Sequence, residues 1–188
     1  MNLSSPTFPF GNGIHWFSAS AHTKLPQEPL KDWLLSPSSL TQRLKTRCST
    51  FEVLLLGEQW IDTPTQEWHG AESQLWLREV LLRLDGVPWV FARTLITPAL
   101  LQQQQQLEQL GNRPLGELLY SDNHFIAGEI DVCHIEQGSP MCTLAASLAQ
   151  PTSAPLWGRR RHFSYQQLPL VVAEVFLPAA VLAINAET

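Results

Sequence analysis

The sequence predicts an α+β fold in one domain, with about six antiparallel strands in one sheet and paired helices covering it. Three observations support this prediction: long apolar runs that recur along the chain, an Asp85-Gly86 pair between two of them, and short helix-like segments that come in pairs. A chain of 188 residues with 44% hydrophobic and 15% charged residues can bury one core and is too apolar to be disordered.

Four short helices are predicted, in two pairs. Apolar positions at helical spacing predict the first pair over residues 28–35 and 38–45. The second pair is predicted over residues 100–110, where a run of five glutamines forms a solvated face, and over residues 117–120, started by Pro114-Leu115-Gly116. Ser36-Pro37 separates the first two helices, and Ser38 or Ser39 would cap the second. Gly111 is placed to end the third helix. Each pair is therefore expected to form a helix-turn-helix cover over the core.

Six strands are predicted at residues 51–60, 74–84, 87–96, 124–134, 159–168 and 170–177. Asp85-Gly86 joins the second strand to the third, because a type I′ hairpin turn needs positive φ at both central positions. Pro169 separates the last two strands. Residues 136–156 are predicted to be a loop with one helical turn near 144–148. Residues 1–25 are rich in Ser, Pro and Gly, which predicts a flexible lead-in to a domain spanning residues 26–188.

Composition excludes several classes of function. Twelve basic against seventeen acidic residues give a net charge of −5, which argues against a generally basic nucleic-acid or membrane-surface binder. No apolar run approaches the roughly 18 residues of a membrane span. The first residues lack the features of a secretory signal, so a cytoplasmic location is expected. The six histidines and three cysteines lack metal-site spacing and no nucleotide motif is present, so neither a metal nor a cofactor is expected.

Two arginines and one glutamate stand in apolar surroundings. With Asp85-Gly86 as the turn, Arg78 is predicted to lie directly opposite Arg93, both on one apolar face of the hairpin. Arginine keeps its proton, so burying this pair requires an anion nearby. Glu174, the lone charge of an otherwise apolar strand, would supply one.

Two interpretations of these residues stay open. An Arg–Glu–Arg cluster could satisfy itself within the core, or it could bind a ligand. The surplus positive charge favours a ligand, since a small dicarboxylate would match it through bidentate hydrogen bonds. The run Arg159-Arg160-Arg161 is typical of a solvated strand end, although alternation would send Arg159 and Arg160 to opposite faces.

Five segments together resemble the chorismate lyase family, also called chorismate–pyruvate lyase. They are DWLLSPSSLTQRL (32–44), LWLREVLLRLDGVPWVFARTLITP (75–98), LGNRPLGELLY (110–120), LWGRRRHF (156–163) and LPLVVAEVFLP (168–178). The resemblance implies a six-stranded antiparallel sheet with the ligand sealed between the sheet and two helix-turn-helix flaps. It also implies conversion of chorismate to 4-hydroxybenzoate and pyruvate, the first step toward ubiquinone, without a cofactor and with tight retention of the product.

The resemblance further implies roles for individual residues. Arg78 in WLRE resembles the arginine that binds a ligand carboxylate, and Arg93 in ART resembles the second active-site arginine. Glu174 in AEVFLP resembles the glutamate that contacts the ring hydroxyl. Leu40 and Leu115 resemble the flap positions that close over the ring. The catalytic residues expected from the family are thus Arg78, Arg93 and Glu174.

Three classes of function are therefore considered. The first is a lyase that acts on chorismate, as a monomer without a nucleic-acid partner or membrane insertion. The second is a non-catalytic effector-sensing domain of the same fold that binds a small carboxylate, and the third is a structural protein with a buried ion cluster. The chain departs from the family at Leu40, where methionine can occur, and in the longer stretch 136–156 and N-terminus, which could alter flap behaviour or oligomerisation.

Overall fold

The computed structural model describes residues 7–21, 24–64 and 67–186. The strands are β1 (Phe17–Ser18), β2 (Phe51–Asp62), β3 (Gln74–Leu84), β4 (Val87–Ile96), β5 (Phe125–Ile135), β6 (Leu156–Tyr165) and β7 (Leu168–Phe176). They form one antiparallel sheet in the order β1-β5-β6-β7-β4-β3-β2. The predicted α+β fold with six main strands is confirmed, and the short β1 extends the sheet beyond β5.

The helices are α1 (Leu30–Leu35), α2 (Leu40–Lys45), α3 (Pro98–Gln103), α4 (Leu115–Ser121), α5 (Pro140–Ser147) and α6 (Pro178–Asn185), with a 3-10 turn at Gln105–Leu107. Both predicted pairs are present. Ser39 caps α2, since its Oγ accepts a hydrogen bond from the Gln42 N–H at 3.3 Å. The predicted helix over 100–110 is too long: the helix ends at Gln103, because Gln104 leaves the helical region with φ −127° and ψ 65°.

Three helices begin with a proline, a signal that the sequence analysis did not use. α3, α5 and α6 start at Pro98, Pro140 and Pro178, where the fixed φ of proline suits the first helical position and its missing N–H costs nothing. Thr97 and Ser139 cap the first two with their side-chain oxygens. The stretch 136–156 therefore contains a helix of eight residues, longer than the single turn predicted.

The turn between the last two strands also differs from the prediction. Gln166 and Gln167 form it, both with positive φ (48° and 69°), and Pro169 lies within β7 opposite Ser164. Pro169 is tolerated there because it is the second residue of β7, next to the turn.

The hairpin of β3 and β4 has the predicted turn but not the predicted register. Asp85 and Gly86 both have positive φ (47° and 82°), as a type I′ turn requires. The ladder then shifts, because Arg83 faces Pro88 while Leu82 faces Val90, which leaves Trp89 as a bulge. Proline has no N–H to donate to the ladder, and the Trp89 carbonyl accepts instead from the Leu177 N–H at 2.9 Å.

The bulge reverses the face on which the second half of β4 projects its side chains. Arg78 lies opposite Thr94, and Arg93 lies opposite Glu79. Because neighbouring residues alternate between faces, Arg78 and Arg93 project to opposite sides of the sheet. The predicted pairing of the two arginines across the hairpin is wrong.

Both faces of the sheet are buried. One face, here called the helix face, packs Val80, Leu82 and Phe176 against Trp33 of α1 and Leu44 of α2. The other, here called the segment face, packs residues such as Leu81, Phe91 and Val175 against Ile14 and α5. The strands in the middle therefore carry apolar residues at nearly every position, as strands covered on both faces do.

The N-terminal segment forms part of the cover on the segment face. Within described residues 7–21, the Phe10 and Gly11 N–H groups donate to the Glu79 carboxylate at 2.7 and 3.0 Å, and Ile14 is buried. Residues 1–6 and 22–23 of the predicted lead-in lie outside the described residues. The domain boundary placed after residue 25 stays a prediction.

Within the described ranges, no helix is long and apolar enough to cross a membrane, and no group of three metal-ligating side chains occurs. All three cysteines carry free thiols, and Cys133 and Cys142 are buried. Burial raises the pKa of the Cys133 thiol, which keeps that thiol protonated and unreactive.

Candidate active site

Arg78 lines a cavity on the helix face. Its Nη2 donates to the carbonyls of Gly111 and Arg113 at 2.8 and 3.2 Å. Its Nε lies 3.2 Å from Oε1 of Glu58 on the neighbouring strand β2, but neither atom forms a hydrogen bond of good geometry. Burial raises the pKa of the Glu58 carboxyl, while nearby Arg78 lowers it less. Arg78 is thus a buried cation whose Nε–H has no hydrogen-bond acceptor of good geometry in the protein.

Glu174 lies in the same cavity, on β7, between Ala92 of β4 and Arg159 of β6. Its Oε2 accepts a hydrogen bond from Arg159 Nε at 2.8 Å. The Glu174 side chain is 13% exposed, so this carboxylate is shielded from bulk water but still borders the cavity. The prediction that Glu174 shares an apolar chamber with Arg78 agrees with these positions.

Arg93 lies in a different cluster, behind the sheet. Its Nη1 lies 2.6 Å from Glu79 Oε1, its Nε and Nη2 donate to the Glu67 carboxylate, and its Nη2 also donates to Asn12. Both Arg93 and Glu79 are almost fully buried on the segment face. The expectation that Arg93 joins Arg78 and Glu174 is therefore corrected, because the bulge at Trp89 places Arg93 on the other side of the strand.

Two helical flaps close the cavity. Flap 1 consists of α1 and α2, and flap 2 runs from α3 through α4. They touch at Gly116 of flap 2, where a Cβ would come within 2.5 Å of Thr41 Oγ1 of flap 1. The ion pair between Lys45 and Glu117 joins the flaps at the surface.

Leu40 and Leu115, the predicted flap residues, both line the cavity. Leu40, on flap 1, is 3% exposed, and Leu115, on flap 2, is 6% exposed. The cavity has two adjoining halves, one at Arg78 and one at Arg159, and Glu174 lines both. In each half, the volume within which the centre of a water molecule can lie is about 20 Å³. This is room for one or two waters but not for a substituted ring. A ring-sized ligand could therefore enter only if the flaps move.

The arginines of β6 contribute more to the cavity than the sequence analysis expected. Arg159 and Arg160 are both buried, at 2% and 6% exposure, on opposite faces of the sheet, so the solvated interpretation of this run is wrong for both. Arg161 also lines the cavity, and its Nη1 donates to Tyr120 Oη at 2.8 Å and to the Pro37 carbonyl. Strand alternation was the signal, since it sends Arg159 and Arg161 to the same face as Glu174.

The charge of the cavity wall is positive. Among the described residues that line it, the charged ones are Arg78, Arg159, Arg161 and Glu174. Counting also Glu58, the ion-pair partner of Arg78, three cations face two anions, which leaves a surplus of one positive charge around a largely apolar chamber. Such a chamber suits a small anionic ligand.

The fold has relatives among solved structures. The effector domain of PhnF from Mycobacterium smegmatis superposes with a TM-score of 0.52 and 17% identity, covering 76% of this chain and 90% of that domain. The structure of PhnF itself gives a TM-score of 0.53 at 17% identity, covering 78% of this chain and 66% of PhnF. These likenesses define the class of fold: an antiparallel sheet with helical covers, which the effector domain of PhnF also has.

The family is defined by sequence. The family model described as chorismate lyase matches residues 12–184. A protein named probable chorismate pyruvate-lyase from Shewanella sp. (strain W3-18-1) is 51% identical over 98% of this chain and 99% of its own length. Another of that name from Shewanella frigidimarina (strain NCIMB 400) is 46% identical over 98% of both chains. The chain belongs to the chorismate lyase family.

Proposed function

We propose that this protein converts chorismate to 4-hydroxybenzoate and pyruvate. The observation that carries the proposal is the chamber between sheet and flaps, where Arg78, Arg159 and Arg161 outnumber the carboxylates of Glu174 and Glu58. Chorismate is a dianion with one carboxylate on the ring and one on the enolpyruvyl ether. The names of the relatives, probable chorismate pyruvate-lyase, support the same reaction.

The reaction is a balanced elimination that needs no other reactant. The ring loses the proton at the carbon that bears the hydroxyl, and the bond between the ring and the ether oxygen breaks. The departing enolpyruvate takes up a proton and becomes pyruvate, while the ring becomes aromatic. Aromatisation supplies the driving force, so the protein needs to orient the substrate and stabilise the departing negative charge. We therefore propose a reaction without a cofactor.

The two halves of the cavity suggest where each end of the substrate binds. Arg78 in the first half is proposed to hold one carboxylate through its remaining donors. Arg161 in the second half is proposed to take the role expected of Arg93, which is to stabilise the departing enolpyruvate. Glu174 borders both halves and is proposed to position the ring hydroxyl and assist removal of the proton.

The flaps are proposed to trap the product. Leu40, Leu115 and the contact between Thr41 and Gly116 close the chamber on the side away from the sheet. Because the two halves of the chamber have room for only a few waters, entry of the substrate and release of the product are expected to require the flaps to separate. Strong inhibition by 4-hydroxybenzoate is the expected consequence, visible as progress curves that slow before chorismate is exhausted. The cytoplasmic location and monomeric state expected from the sequence remain predictions.

The first experiment adds chorismate to the purified protein and follows 4-hydroxybenzoate by ultraviolet absorbance, with a thermal-shift measurement beside it. Turnover supports the proposal. A thermal shift without turnover indicates the alternative suggested by the fold relatives, an effector-sensing domain that binds small carboxylates. Absence of both indicates a structural protein and overturns the proposal.

Arg78→Ala tests the carboxylate contact. It is expected to lower kcat/KM by about a hundredfold or more, because a charge-assisted contact in a water-poor site is lost. Arg83→Ala is the matched control: Arg83 lies on the same strand, but its side chain is 32% exposed and pairs with Glu52 at the surface. Near-normal activity of Arg78→Ala, with the control also active, would refute the assignment.

Glu174→Gln tests the acid–base role. The change keeps the shape and hydrogen-bonding capacity of the side chain but removes its charge. We expect a lower kcat and an altered pH profile. A kcat that matches the wild type at every pH would show that Glu174 is not an acid–base group.

A further inference from the structure

Arg159 connects the candidate catalytic carboxylate to a flap. It projects from β6 on the helix face, directly opposite Glu174 of β7. Its Nε donates to Glu174 Oε2 at 2.8 Å, while its Nη1 donates to the carbonyls of Ser36 at 2.8 Å and Trp33 at 3.4 Å. One guanidinium thus bridges the sheet and the end of α1.

The environment gives this guanidinium little freedom. The Arg159 side chain is 3% exposed and stays charged, so it needs acceptors on all sides that water does not reach. The Ser36 and Trp33 carbonyls are among the last of α1, which have no partner within the helix and carry its partial negative charge. They are therefore good acceptors, but only when flap 1 rests on the sheet.

We propose that Arg159 is a positioning residue that couples closure of flap 1 to the alignment of the Glu174 carboxylate. When flap 1 opens, Arg159 loses two of its three acceptors, and its hold on Glu174 loosens as water enters. When flap 1 closes over a ligand, the carbonyls of α1 fix the guanidinium, which fixes the carboxylate. This inference rests on the proposed function, in which Glu174 acts on chorismate.

The coupling makes the chemical step depend on closure of flap 1. A carboxylate oriented by a fixed donor lies within reach of the ring hydroxyl in one geometry, whereas a loose carboxylate samples many. Since the same guanidinium also holds flap 1, its loss is expected to affect two measurable quantities together: the rate of the chemical step and the rate of product release.

The test uses two variants of Arg159 and one matched control. Arg159→Gln removes the charge. Arg159→Lys keeps the charge but has its three donors on one nitrogen of a flexible stem, so it lacks the rigid fork that reaches Glu174 and the α1 carbonyls from separate nitrogens. Arg160→Gln is the control, because Arg160 is equally buried and ion-paired, to Asp131 at 2.7 Å, but on the segment face. For each protein we would measure kcat, KM, the dissociation rate of 4-hydroxybenzoate and the melting temperature.

Arg159→Gln is expected to lower kcat about tenfold to a hundredfold and to speed 4-hydroxybenzoate dissociation by a similar factor, as expected for losing hydrogen bonds of a charged group. Arg159→Lys is expected to recover part of kcat but not the slow release. Arg160→Gln is expected to lower the melting temperature while kcat and product release stay at wild-type values. If Arg159→Gln does not fold, the same measurements on Arg159→Lys test the inference.

A double variant separates positioning from general damage. If Arg159 acts through Glu174, then Arg159→Gln should lower kcat much less in a Glu174→Gln background than in the wild type. Fully additive effects, or Arg159 variants that behave as Arg160→Gln does, would overturn the inference while wild-type turnover keeps the proposed function intact. A wild-type protein that does not turn over chorismate would overturn both.

Discussion

Adding a single methyl group at Gly116 should weaken the contact between the two flaps. It is the second residue of α4 and lies against Thr41 of flap 1. A Cβ at this position would lie 2.5 Å from Thr41 Oγ1 and 3.3 Å from Thr41 Cβ, and Cβ atoms essentially never come within 3.0 Å of a non-bonded heavy atom of another residue. Thr41 is 3% exposed and has few ways to move aside. Gly116→Ala should therefore disfavour the closed state.

The size of the effect follows from the overpacking, which costs about 1–3 kcal/mol. This cost applies only to the closed state, because separated flaps do not bring Gly116 against Thr41. The preference of a helix for alanine over glycine, up to about 1 kcal/mol, stabilises α4 in both states and therefore cancels. A cost of about 1–3 kcal/mol changes the ratio of closed to open protein by about 5- to 150-fold.

The assay is release of 4-hydroxybenzoate, followed in a displacement experiment, together with progress curves on chorismate. Gly116→Ala should release the product about 5 to 150 times faster, in proportion to the shift of the flap equilibrium. The progress curve should slow less as product accumulates. The melting temperature of the free protein should change little, because the flaps can separate without unfolding the sheet.

The pair Thr41→Ala and Thr41→Ala/Gly116→Ala supplies the control. Removing Thr41 Oγ1 leaves room for the new methyl, so adding Gly116→Ala in that background should not speed release further. Gly116 also lines the cavity, and a raised KM in both Gly116 variants would show that the methyl obstructs the ligand directly. Release at the wild-type rate in Gly116→Ala would refute the idea that contact between the flaps holds the product.

Two further predictions concern the buried cluster on the segment face. Arg93→Met should lower the free energy of unfolding, measured in urea, by about 3–5 kcal/mol, because it leaves Glu79 and Glu67 buried without their cation. Adding Glu79→Gln should recover part of this stability. A double variant that is as unstable as Arg93→Met, or less stable, would contradict the explanation. Burial raises the pKa of the Glu67 carboxyl above its ordinary 4.5, more than Arg93 lowers it. The folded state then binds a proton more tightly than the unfolded state, so the contribution of Glu67 to stability falls as pH rises from 4.5 through the raised pKa. Glu67→Gln should remove this slope from a series of urea titrations, and an unchanged slope would exclude Glu67 as its source.

The parts of the fold that the sequence predicts best are those that depend on local pattern. The bounds of β3 and β4 match the prediction, because long apolar runs flank Asp85-Gly86 and this pair dictates the turn. The helices that begin at Pro98 and Pro140 are predicted with the wrong lengths, and the helix that begins at Pro178 is not predicted at all. Their apolar residues have no clear helical spacing, and the proline at the first position was the available signal.

The register of β4 depends on more than local pattern. A turn fixes only the first pair of a hairpin, and a bulge further along changes every later pair. Pro88 is the residue in the sequence that disfavours a regular ladder, but its position alone does not tell which strand carries the extra residue. The contact that decides it, from Leu177 N–H to the Trp89 carbonyl, joins segments far apart in the chain. Arg93 was therefore assigned to the wrong face, whereas Arg78, Glu174, Leu40 and Leu115 were placed together as predicted.

The sheet separates two clusters of buried arginines, and charge balance distinguishes their roles. On the segment face the cluster comprises Arg93, Arg160, Glu67, Glu79 and Asp131. Two cations and three anions, with backbone N–H groups completing the acceptors of Glu79, leave no demand for an added anion. On the helix face, three arginines face two anions, Glu174 and the Arg78 partner Glu58, and the Nε of Arg78 lacks a hydrogen bond of good geometry. A buried arginine alone therefore does not indicate a ligand site: the surplus of positive charge on one face, and its absence on the other, is what supports the proposal that the substrate binds in the chamber beneath the flaps.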